Sequence, residues 1–212
     1  MKMEKLPLVS TVADVEGPVG STVTVNVKAE GDIQEGWVEF LEARSRRVSG
    51  ERRTVRTIIN GKPFEREISV RLLASDFIRH EAELTGTHVG CEHGVCGACT
   101  ILLDSAPVRS CLLLAVQLSS HNVETVEGLG SSQSLHPLQQ SFWEKHGLQC
   151  GYCTPGILMT MKAFLAENPN PSATEIRAVL AGHLCRCTGY QQIVESVLEA
   201  ARRMAQLPDR KA

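Results

Sequence analysis

The sequence contains no apolar run approaching the roughly 18 residues that a membrane span requires. Its N-terminus, MKMEKLPLVSTVADVEG, lacks the apolar core of a signal peptide. A soluble, cytoplasmic protein with no membrane span is expected. Charge of one sign is scarce too: 212 residues carry a formal net charge of −2, which gives no electrostatic basis for a nucleic-acid partner. The basic cluster Arg44, Arg46, Arg47, Arg52 and Arg53 reads as a solvated face. Also missing are a G-x-G-x-x-G dinucleotide fingerprint, a G-x-x-x-x-G-K-S/T phosphate loop and any spacing that singles out a nucleophile with its base. The length accommodates one large domain or two small ones.

Cysteine, by contrast, is plentiful and grouped. The eight cysteines form two sets of four, Cys91, Cys96, Cys99, Cys111 and Cys150, Cys153, Cys185, Cys187, with none left over. A reducing cytosol disfavours structural disulfides, so metal binding or redox chemistry is the expected use. The first set runs C-x4-C-x2-C and then a distant cysteine, the plant-type [2Fe-2S] ferredoxin spacing; zinc sites more often present two short C-x2–4-C pairs. A zinc-stabilised interaction module stays open as the alternative. An iron–sulfur sensor acting on DNA is disfavoured because no basic helix-turn-helix pattern is present. Gly90, Gly94 and Gly97 suit a loop that wraps an inorganic core closely and turns backbone N–H groups toward sulfur. His93 could replace a thiol in a Rieske-like arrangement, but with four thiols available it is expected to face solvent.

The flanks describe a scaffold. TVRTIINGKPFEREISV, residues 54–70, is strand-forming on both sides of Asn60-Gly61, the dipeptide suited to a type I′ hairpin. Leu73, Phe77, Ile78 and Leu84 predict a helix that Gly86 would stop. TILLDSAPV predicts a short strand and a tight turn near Asp104 to Pro107, leading to Cys111. Hairpin, helix, cysteine loop and strand together make a β-grasp module.

The second set differs, because 31 helix-forming residues separate its C-x2-C from its C-x-C. Thr154 is a good N-cap with Pro155 at the first helical position, and Thr188-x-x-Gln191 reads as a capping box, so both pairs are expected at helix N-termini. Unpaired N–H groups and the macrodipole there stabilise an anionic cluster. Two further helices are predicted, PLQQSFWEKH closing at Gly147 and residues 173–181 closing at Gly182, the latter capped by Ser172 and Glu175. Leu158, Met159, Met161, Phe164 and Leu165 read as core.

GCEHGVCGACTILLDSAPVRSC, LHPLQQSFWEKHGLQCGYCTPGILM and GHLCRCTGYQQIV resemble the small iron–sulfur subunit of the xanthine oxidase family of molybdenum hydroxylases, over about residues 54–200. The resemblance implies an α+β fold: an N-terminal β-grasp plant-type ferredoxin-like domain (52–127), a linker (128–134) and a four-helix [2Fe-2S]-binding domain (135–206), with an extension (1–51) and a tail (207–212) beyond. It implies that Cys91, Cys96, Cys99 and Cys111 hold the [2Fe-2S] cluster nearer the flavin, and Cys150, Cys153, Cys185 and Cys187 the one nearer molybdenum. Gln149 and Cys187 would lie against the pterin of a molybdopterin-type molybdenum cofactor. The implied partners are a large molybdenum-cofactor subunit and a medium FAD-binding subunit, in a heterotrimer or a dimer of heterotrimers, with this chain as the electron conduit and no catalytic residue of its own. Ser105 departs from the family's usual glycine after Asp104, the segment LLASDFIRHEAELTG starts more polar than usual, and the first fifty residues exceed the family's short lead-in strand. In that extension Val23, Val25 and Val27 alternate as in a strand, and EGWVEFLEARSRR is helix-prone.

Overall fold

The computed structural model describes residues 50–131 and 133–206. The Val23 to Val27 segment, the helix-prone stretch after it, Arg44, Arg46, Arg47 and residues 207–212 lie outside them.

Strands β1 (Arg52–Ile59) and β2 (Lys62–Ser69) pair antiparallel with Ile59 opposite Lys62, leaving only Asn60 and Gly61 for the turn. Both take positive φ, 50° and 76°, as a type I′ turn requires. Along β1, Val55, Thr57 and Ile59 point inward while Arg52 and Arg56 point out to Glu67 and Glu65. Arg53 pairs with Glu51, so the described members of the basic cluster do form a solvated face. Such exposed pairs contribute at most about 1 kcal/mol each.

Three further strands complete a mixed sheet in the order β2-β1-β5-β3-β4: β3 (Thr100–Leu103), β4 (Ala106–Arg109) and β5 (Asn122–Glu124), the last parallel to β1. A short helix α1 (Ala74–Asp76) widens into a π-turn over Phe77–Glu81. It buries Ala74, Phe77 and Ile78 against Val55, Ile68, Ile101, Leu118 and Val123, which gives the β-grasp core.

Gly86 does not end this helix. Glu83 does, at φ 58°, with the Leu84 N–H returning to the Ile78 carbonyl at 2.9 Å. Gly86 serves close approach instead: a Cβ there would stand 2.6 Å from Val126 Cγ1.

The β3–β4 turn consists of Asp104 and Ser105 alone, at φ 48° and 70°, and Pro107 lies within β4. The Asp104 carboxylate steadies the turn by accepting from the Asn122 N–H at 2.8 Å and bonding His121. Serine is strained at positive φ where glycine is not. Ser105→Gly should therefore raise stability by about 1 kcal/mol, or about 3 °C in Tm by thermal unfolding; a lower Tm would count against the strain argument.

The second half packs four helices: α2 (Pro137–Glu144), α3 (Thr154–Glu167), α4 (Ala173–Leu180) and α5 (Gln191–Gln206). Leu138, Phe142, Ile157, Met161, Ile176, Leu180, Ile193 and Val197 form its core. The capping box on α4 is present: Ser172 Oγ accepts the Glu175 N–H at 3.2 Å, and Glu175 Oε2 accepts the Ser172 N–H at 2.7 Å. At the end of α2 the left-handed residue is His146, φ 56°, not Gly147. A Cβ on Gly147 would overlap the Ser196 hydroxyl, so that glycine admits α5. Leu129 packs into this helical core.

Strand β3 joins the halves. Its alternation sends Ile101 into the sheet core and Leu102 to the opposite face, against Met159 and Ala163 of α3. Burial of Leu102 and Met159 contributes roughly 1.5–3 kcal/mol each. The same contact brings the start of α3 beside the first cysteine loop.

Candidate metal centres

All eight cysteines are free thiols. In the first loop Glu92, Gly94 and Gly97 take positive φ, so the chain coils back on itself and aims N–H groups inward. The N–H groups of His93 and Cys96 both donate to Cys91 Sγ at 3.4 Å. These backbone bonds, Cys96 first, lower the Cys91 thiol to about 6. Burial, with the neighbouring Cys99 thiol, pushes Cys111 up to about 11. Cys91 sits with Cys96, and Cys99 with Cys111, as two mutually contacting pairs. The His93 ring is exposed and turns to the Cys91 carbonyl, away from ligation, as the thiol count implied.

The second quartet also meets pairwise, Cys150 with Cys187 and Cys153 with Cys185. The caps that assemble it differ from expectation. Cys153, not Thr154, is the N-cap of α3: its carbonyl accepts the Ile157 N–H at 3.1 Å, while the Thr154 hydroxyl is buried without a partner. The box expected between Thr188 and Gln191 does not form either. Tyr190, left-handed at φ 68°, opens α5, and the Gln191 side chain bonds Glu195 and Arg177. Thr188 instead places its hydroxyl 3.1 Å from Cys185 Sγ. Burial works against the Cys185 thiolate, but the Thr188 hydroxyl and N–H and the Cys187 N–H outweigh it and lower that thiol. Burial pushes Cys153, its pair, up to about 12.

The arrangement fits a diferric cluster. Each thiolate formed discourages ionisation of its neighbour, and a bound metal cation removes that penalty. A two-iron core takes its thiols two by two, each iron a pair, with N–H and hydroxyl donors left for sulfur.

The loops touch directly. The Leu184 N–H, next to Cys185, donates to the Cys96 carbonyl at 2.9 Å. A Cβ on Gly97 would stand 2.7 Å from the Gly182 carbonyl and overlap His183 Nδ1. His183 is 1 % exposed, bonds Thr160 Oγ1 at 2.8 Å, and is held at about 4 by burial and by Arg109, hence neutral. Tyr152, between Cys150 and Cys153, stacks on His88 and donates to the Val89 carbonyl at 2.6 Å. The sequence carried no signal for these cross-loop contacts. Gln149, Cys150 and Cys187 are exposed, whereas Cys99, Cys111 and Cys153 are buried.

Comparison with known proteins agrees with this geometry. Residues 57–125 match the family described as the 2Fe-2S iron-sulfur cluster binding domain, and residues 125–198 the [2Fe-2S] binding domain. The chain is thus a carrier with two [2Fe-2S]-binding domains in series, and the matches lend no support to a zinc module. It is 55 % identical over 142 residues to caffeine dehydrogenase subunit gamma of Pseudomonas sp. (strain CBB1), covering 66 % of this chain and 85 % of that protein. With the nicotine 6-hydroxylase small subunit of Paenarthrobacter nicotinovorans it shares 51 %, over 67 % of this chain and 86 % of that one. Among solved structures, quinoline 2-oxidoreductase from Pseudomonas putida 86 superposes with a TM-score of 0.69 at 50 % identity, covering 73 % of this chain and 98 % of that one. The chain belongs to the small iron–sulfur subunits of the xanthine oxidase family of molybdenum hydroxylases, and its function is electron transfer within a multi-subunit oxidoreductase. No described helix is long and apolar enough to cross a membrane.

Proposed function

We propose that Cys91, Cys96, Cys99 and Cys111 hold one cluster and Cys150, Cys153, Cys185 and Cys187 the other, and that this chain relays electrons from a large molybdenum-cofactor subunit to a medium FAD-binding subunit. When bound, each cluster takes up and releases one electron at a time. The hydrogen bond from Leu184 N–H to the Cys96 carbonyl is the observation that carries this reading, because it links a residue adjoining one quartet to a ligand of the other. Exposed Gln149, Cys150 and Cys187 form the entry lip, and Gln149 and Cys187 meet the pterin. At the exit, Val95 and Leu112 are 64 % and 60 % exposed around the first loop and give an apolar rim for the FAD subunit. The assembly is a heterotrimer or a dimer of heterotrimers. The domains follow the boundaries 52–127 and 135–206.

The three relatives are named for caffeine, nicotine and quinoline, all nitrogen heterocycles, and these compounds are the probes to use. In a complex carrying Cys111→Ser, oxidation of the heterocycle should still reduce the second cluster, while flavin reduction slows by at least about a hundredfold. Rapid-mixing absorbance and freeze-quenched EPR read the two events separately. Flavin reduction at the parental rate would contradict the proposed route.

A further inference from the structure

Arg109 holds no iron in this scheme, yet its side chain reaches both cysteine loops. It lies at the end of β4, two residues before Cys111, and is half-buried. Nη1 donates to Thr100 Oγ1, beside Cys99. Nη2 donates to the Gly182 carbonyl at 2.6 Å, in the turn that leads through His183 to Cys185. Gly97 of the first loop packs on the same Gly182 carbonyl and on His183, so the guanidinium stands where the two loops meet. Both acceptors are neutral. Among the described residues no carboxylate forms an ion pair with Arg109, as is also true of Arg71, Arg79, Arg177 and Arg186, whereas Arg52, Arg53, Arg56, Arg66, Arg202 and Arg203 each have one; of the unpaired five, Arg109 is the one bonded beside both loops.

An unneutralised cation fixed at this junction acts on whatever charge the loops hold. A [2Fe-2S] core with four thiolates carries about −2 when oxidised and gains one more negative charge on reduction. A fixed positive charge favours that added charge on each nearby anionic site, the more so where protein rather than water lies between them. The two arms of one guanidinium, one bonded beside each loop, divide this effect between the quartets. We infer that Arg109 is a positioning residue for the redox function: its charge raises the reduction potentials of both clusters together, so that neither becomes a trap for the passing electron. The inference rests on the two-quartet ligand assignment.

Potentiometric titration followed by EPR, on the complex purified with its partner subunits, tests it. Arg109→Gln removes the charge and keeps a polar, though shorter, side chain. At fixed poise the reduced-to-oxidised ratio of both clusters should fall about tenfold, equivalent to about 59 mV for a one-electron couple, with iron content unchanged. Arg109→Lys keeps the charge but not the fork, and should hold both ratios within about a factor of two of the parent. Unchanged potentials in Arg109→Gln with iron retained, or a fall confined to one cluster, would overturn the inference. If Arg109→Gln does not load iron, the neutral variant Arg109→Met is titrated in its place: a fall in both ratios upholds the inference, unchanged potentials with iron retained refute it, and iron lost from both neutral variants assigns Arg109 a structural role and refutes it. The parental complex is titrated alongside, and fewer than two cluster signals there would contradict the ligand assignment itself, independently of Arg109.

Discussion

Gly156→Ala should destabilise the protein by about 3 kcal/mol and lower the iron content of both cysteine loops, although residue 156 is not a ligand. Gly156 lies in the first turn of α3, where a Cβ would overlap the Gly97 carbonyl and stand 3.0 Å from the Ala98 carbonyl. Both obstacles are backbone, so no side-chain rotation relieves the clash. The Gly97 carbonyl is itself engaged by the Thr100 N–H at 3.2 Å and the Thr100 hydroxyl at 2.6 Å, which leaves the loop little room to retreat. Either α3 backs away, taking Cys153 with it, or the first loop shifts and moves Cys96 and Cys99. Alanine ordinarily favours a helix over glycine by about 1 kcal/mol, so a net loss isolates the steric contact. Urea unfolding with iron assay on the same samples measures both effects, and a gain in stability would refute the contact.

Cys185→Ser should remove one cluster entirely, reduce iron from about four to about two per chain, and lower Tm by about 10 °C. The size of the effect follows from where Cys185 sits. It joins the end of α4 to the start of α5, its backbone N–H donates to the Tyr190 hydroxyl at 2.8 Å, and Tyr190 Oη donates to the His183 carbonyl at 3.0 Å. Metal ligation there is also folding energy for the helical half. Cys111, at the edge of a sheet with its own core of Val55, Phe77, Ile101 and Val123, has less fold to lose. Cys111→Ser should therefore cost its cluster with a smaller fall in Tm. Equal losses in the two variants would show that the halves do not differ in their dependence on metal.

Much of this was legible in the sequence where the cause is local. The Asn60-Gly61 hairpin followed from two residues that tolerate positive φ, and the Ser172–Glu175 capping box from three-residue spacing. Cysteine spacing alone suggests the two proposed quartets. What misled was the assumption that a glycine after a helix is there to end it. Gly86 and Gly147 are required by Val126 and Ser196, which are 40 and 49 residues away in the chain (126 − 86 and 196 − 147) and which no local pattern reveals. The caps were misread for a related reason: Thr188 looks like a helix cap, yet its hydroxyl serves the Cys185 sulfur. Arg109 reads as one more charged residue until the fold brings Gly182 to it.

The account depends most on two quartets of thiolates each holding a two-iron core within one chain. Iron and acid-labile sulfide analysis of the anaerobically purified protein, with low-temperature EPR after dithionite reduction, addresses this directly. About four irons, about four sulfides and two distinct S = 1/2 signals per chain are expected. A single signal from about two irons, or zinc in place of iron, would contradict it.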